Sequence, residues 1–139
     1  MSTFSAVSVL RSASSLRSLA LALVAACTLG ASQFALADDS AAAKTIAGVL
    51  VGLNHFPSAE DKAALAEIAG DDSHGMAIRA LASAVAEIQH SATAEGKAAM
   101  ERIVASDMAD AQSKALAQIV LGINHVPSAE AKASLQAML

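Results

Sequence analysis

A fourteen-residue stretch occurs twice in this chain of 139 residues, and the recurrence restricts the possible folds more than any other feature. Gly52-Leu53-Asn54-His55-Phe56-Pro57-Ser58-Ala59-Glu60-Asp61-Lys62-Ala63-Ala64-Leu65 returns as Gly122-Ile123-Asn124-His125-Val126-Pro127-Ser128-Ala129-Glu130-Ala131-Lys132-Ala133-Ser134-Leu135, identical at ten of fourteen positions and offset by 70. Half of that offset falls on a weaker copy, Ile88-Gln89-His90-Ser91-Ala92-Thr93-Ala94-Glu95-Gly96-Lys97-Ala98-Ala99-Met100, which keeps His, Ala-Glu and Lys in register. The period is therefore 35. Self-similarity at this length marks a repeated supersecondary unit that buries its apolar face only against its neighbours.

The register extends in both directions. Lys44, Arg79 and Lys114 align, as do Ile46, Leu81 and Leu116, then Leu50, Val85 and Val120, and downstream Ile68, Ile103 and Met138. Each unit reads as two helices, the first ending at Asn/Gln-His and the second starting at Ser/Thr-Ala-Glu. Pro57 and Pro127 cannot continue a preceding helix, Ser58, Thr93 and Ser128 are N-cap residues, and the Glu that follows faces the positive first turn. Asn54 and Asn124 suit the left-handed residue that closes a helix, and the adjacent His faces the negative end of its dipole. The expectation is an all-α fold of three 35-residue helical-hairpin repeats, at about 38–72, 73–107 and 108–139. These form a two-layer α-helical stack or a compact six-helix bundle.

Composition agrees with helices. Hydrophobic residues make up 55% of the chain and aromatics 2%, with neither Trp nor Tyr. The apolar excess is alanine, the best helix former, whereas strand formers are scarce. The period is close to that of tetratricopeptide repeats, but their aromatic positions have no counterpart here. First helices such as 46–53 and 116–123 are apolar nearly all round and are expected inside; second helices such as 59–69 carry charge on one face and are expected outside.

The first 37 residues hold Arg11 and Arg17 and no acidic residue, then an apolar run from Leu19 to Leu29, then Ala35-Leu36-Ala37 before Asp38. This is the pattern of a cleaved secretory signal peptide, with 38–139 as the single mature domain in the periplasm or outside the cell. Its apolar core is well short of the ~20 residues that cross a bilayer. The alternative address is a lipoprotein anchored through Cys27, the only cysteine. Residues 38–139 carry seven Lys and Arg against thirteen Asp and Glu, a net −6, the wrong sign for a protein that must neutralise nucleic-acid phosphates.

Chemistry-bearing motifs are few. The sharpest candidate is the row His55, His90 and His125, either as caps or as ligands for a metal or haem. In a linear stack, equivalent atoms stand ~8–10 Å apart, so three imidazoles sharing one ion would demand strong curvature. His74-Gly75-Met76 is a weaker copper candidate, and the remaining methionines read as core filler. No nucleophile elbow, zincin motif or phosphate loop occurs, so an enzyme is not expected, nor is a cofactor on the leading reading. Leu135, Met138 and Leu139 end the last helix without a polar cap, which points to self-association through that repeat or docking on an envelope protein. The sequence thus predicts an exported, non-enzymatic interaction or structural module, with a metal- or haem-binding protein as the alternative.

Overall fold

The computed structural model describes residues 39–139; the expected leader at 1–37, its expected cleavage signal and Cys27 lie outside the described residues. Among the described residues the fold is wholly helical and compactly packed. Helix α1 covers 39–52, followed by α2 (Ala59–Gly70), α3 (Met76–Ala86), α4 (Ala94–Ala105), α5 (Ala111–Leu121) and α6 (Ala129–Gln136). Helices α2, α4 and α6 start 35 residues apart, and so do α3 and α5. No helix is long and apolar enough to cross a membrane, again among the described residues.

Burial follows the sequence register. Ile46, Leu81 and Leu116 are fully buried, as are Ala47, Ala82 and Ala117 one residue on, and Leu50, Val85 and Val120 one turn later. These nine come from α1, α3 and α5, which form the inside of the bundle. The helices α2, α4 and α6 contribute one fully buried anchor each at equivalent places, Leu65, Met100 and Leu135; Ile68 and Ile103 add a second buried side chain in α2 and α4, and the rest of these helices is mostly exposed or half-buried. Alanine at the inner level lets helix axes approach closely. Where Ala43 and Ile78 sit in the first two inner helices, the third has Ser113, buried with its hydroxyl satisfied by the Asp110 carboxylate at 2.6 Å.

Capping fixes where each outer helix begins. Ser58, Thr93 and Ser128 have extended backbones, and their side-chain oxygens accept from Asp61, Gly96 and Ala131 N–H. At Ser58 the Asp61 carboxylate also accepts the Ser58 N–H at 3.1 Å, completing a capping box. Helix α3 has Gly75 at its N-cap and borrows its cap from the start of α1: Asp39 accepts the Gly75 N–H at 3.0 Å. A Cβ on Gly75 would stand 2.9 Å from that carboxylate, so glycine is what admits it. Asp39 also meets His74 Nδ1 at 3.2 Å, a pairing of positions 35 apart.

The bundle is closed where the sequence suggested an open end. Leu135 is fully buried within its own chain, Met138 packs on the core, and a Cβ on Gly48 of α1 would stand 3.9 Å from Leu139. Of the three residues proposed for self-association only Leu139 remains largely exposed, because the C-terminal turn folds over α1. Packing between inner and outer helices is uneven. Gly96 lets α4 lie against Ala84 of α3, since a Cβ there would stand 3.2 Å from Thr93 Oγ1 and 3.4 Å from the Ala84 Cβ; the equivalent places in α6 and α5 hold Ala131 and Ile119. There the helices diverge around an open groove of about 330 Å³ between Gln118, Ile119 and Gly122 on one side and Pro127, Glu130 and Ala131 on the other.

Candidate functional site

The three turns between inner and outer helices converge at one end of the bundle, and the histidines meet there. His55, His90 and His125 have φ of 72°, 71° and 68°, the only non-glycine residues with positive φ among those described. The left-handed residue is thus the histidine and not Asn54 or Asn124, and it stands beyond the end of its helix, so it is not a C-cap. Its backbone is committed elsewhere. His55 N–H donates to His125 C=O at 3.2 Å, His90 N–H to His55 C=O at 2.8 Å, and His125 N–H to His90 C=O at 2.5 Å.

These three bonds form a closed cycle. Each turn gives one donor and one acceptor to the other two, an arrangement that three equivalent turns satisfy only around a common axis. The left-handed conformation frees the histidine N–H and C=O for it: narrow bridges across each histidine join Asn54 to Phe56, Gln89 to Ser91 and Asn124 to Val126. The strain of a left-handed residue is of order 1 kcal/mol, and His is among the side chains that tolerate it best.

The linear-stack distance of ~8–10 Å does not apply to a closed ring of turns. The imidazole centroids lie 5.4, 5.6 and 5.1 Å apart, with interplanar angles of 86°, 90° and 74°. Each ring therefore meets its neighbours edge to face, a favourable contact of aromatic quadrupoles. All three histidines are exposed to solvent. Two of them are oriented by the preceding residue: His55 Nδ1 lies 2.9 Å from Asn54 Oδ1 and His125 Nδ1 lies 2.8 Å from Asn124 Oδ1. An amide oxygen only accepts, so Nδ1 carries the proton and a neutral ring keeps its lone pair on Nε2. Phe56 and Val126, 60% and 40% exposed, flank the cluster in two turns, and Ser91 takes their place in the third.

Other sequence candidates are dispersed. His74 is turned to Asp39, whereas Met76 is 86% exposed, so the two do not form a copper pair. Met100 is core filler as expected, but Met108 projects to solvent from the turn between α4 and α5, and Met76 does so at the first position of α3. The carboxylates with shifted acidity serve local structure. Ser73 N–H and hydroxyl hold the Asp71 carboxyl below the usual range. At Asp110 partial burial pushes the value up, but hydrogen bonds from Ser113 and Gln112 outweigh it and leave the carboxyl lowered. Asp110 is the N-cap of α5. Signals for the axial cluster were present in the sequence as the repeated His; the closure that unites them was not. No family model, no curated protein and no solved structure matches this chain.

Proposed function

We propose that the chain is an exported, non-enzymatic binding module of the cell envelope, built of three equivalent helical hairpins, whose working face is the ring of turns around His55, His90 and His125. The observation that carries this reading is the cycle of histidine backbone bonds, which gathers three chain-distant turns into one exposed surface. Three left-handed positions filled by imidazole, with Phe56 and Val126 exposed beside them, make a polar centre with an apolar rim. Such a face suits recognition of another envelope component. Export rests on the leader pattern at 1–37 and the small-residue signal before Asp38.

A photoreactive residue at position 56, and a second at Glu101 on the outer face of α4, tests this in the producing cell. The reading expects defined adducts from position 56 only, lost when the three histidines are replaced by Asn, and a purified protein whose first residue is Asp38. Adducts formed equally from Glu101, or none from position 56, would overturn the assignment of the face. An intact Met1 would overturn export, and a lipid-modified Cys27 would replace a free periplasmic protein by a lipoprotein.

A further inference from the structure

We infer that the three-turn face binds one late first-row divalent metal ion, of the Zn²⁺ or Cu²⁺ class, through Nε2 of His55, His90 and His125. The inference rests on the reading of that face as the binding face and names its ligand. Distances come first. With a Zn–N bond of about 2.1 Å and about 1.1 Å more to the ring centroid, three imidazoles on a tetrahedral ion have centroids roughly 5.2 Å apart. The three observed separations are 5.4, 5.6 and 5.1 Å. The three rings are close enough together to share one ion once they turn toward it.

Tautomer comes second. A histidine that ligates through Nε2 usually donates Nδ1–H to an oxygen that fixes the ring. Asn54 and Asn124 provide that oxygen at 2.9 and 2.8 Å. Orientation is what changes on binding. Edge to face, the nitrogens do not converge, and among the described residues no three His, Cys, Asp or Glu side chains are set around an ion. The side chains are exposed, so turning them about Cα–Cβ and Cβ–Cγ displaces solvent and not core. The backbone ring holds the three Cα atoms while the rings turn. Three nitrogen ligands leave a fourth tetrahedral position open for water or a partner's group.

The donor set selects the class of ligand. Neutral imidazoles suit zinc, copper and nickel over magnesium or calcium. Two of these histidines do not suit the two axial positions of one haem, because those lie on opposite faces of the macrocycle and rings in mutual contact leave no room for it between them. The net −6 of residues 38–139 draws cations toward the protein.

Titration of the purified protein with Zn²⁺ and with Cu²⁺ near pH 7.5, followed by calorimetry and melting temperature, tests the site. One equivalent per chain is expected, with a raised melting temperature by mass action. His55→Asn, His90→Asn and His125→Asn are each expected to weaken binding at least tenfold, whereas His74→Asn leaves it unchanged. Asn54→Ala and Asn124→Ala keep all three ligands and are expected to lose about tenfold each, the usual cost of removing the group that orients a ligand. Circular dichroism confirms that each variant is folded, and nitrogen shifts of the histidine rings show metal on Nε2 with Nδ1–H retained. No binding, several weak equivalents, or affinity indifferent to His90→Asn would overturn the inference. Absent metal binding with position-56 adducts intact defeats this inference alone; metal binding without adducts defeats the interaction reading alone.

Discussion

Leu81→Ala is expected to destabilise the protein by about 3 kcal/mol, within the 2–5 kcal/mol range for a buried leucine truncated to alanine. Leu81 is fully buried on α3, the helix that packs against α2, α4 and α5. Its loss therefore removes contacts with most of the bundle. The surroundings cannot repair the gap. Ala47, Ala82 and Ala117, buried at the next level, have no side-chain freedom with which to fill it. For a domain of about 100 residues the loss corresponds to a fall in melting temperature of over ~10 °C. Thermal unfolding checks it, with Ser83→Ala on the exposed side of the same helix as a control expected to stay within about 0.5 kcal/mol. A cost for Leu81→Ala below about 1 kcal/mol would place this leucine outside the core.

The second large effect is at the axis. His90→Val is expected to be about 1–2 kcal/mol less stable than His90→Asn, because a β-branched side chain at φ 71° clashes with its own backbone and asparagine does not. Both variants remove the imidazole and its ring contacts, so the difference isolates the backbone conformation. Denaturant unfolding of the pair measures it. Equal stabilities would mean that residue 90 is not left-handed and that the cycle of turns is broken there.

What the sequence made legible, and what it hid, follows from the range of each interaction. Helix starts are written locally, in Ser58, Thr93 and Ser128 and the acidic residues that follow. Core positions are written in the register that aligns Ile46, Leu81 and Leu116. Closure is written nowhere in the period, since 35-residue units can stack in a line or turn back on themselves. It depends on the rotation between units, which the His backbone bonds and the Asp39 cap on α3 set through space. Asparagine is the ordinary left-handed residue, which directed attention to Asn54 and Asn124. In the fold they orient the neighbouring imidazoles instead, a role that shows only once the rings meet. Met108 reads as core filler in the sequence, although it lies in the turn between α4 and α5 and is 94% exposed, where it has no core to enter.

The claim on which site and function both depend is the hydrogen-bonded cycle of three histidines. Trans-hydrogen-bond scalar couplings in isotope-labelled protein detect it, with the helical bonds of the same spectrum as internal reference. The expected correlations run from His55 N to the His125 carbonyl carbon, from His90 N to that of His55, and from His125 N to that of His90. Helical correlations seen without these three, or histidine amides bonded within their own turns, would contradict the closed ring and the site built upon it.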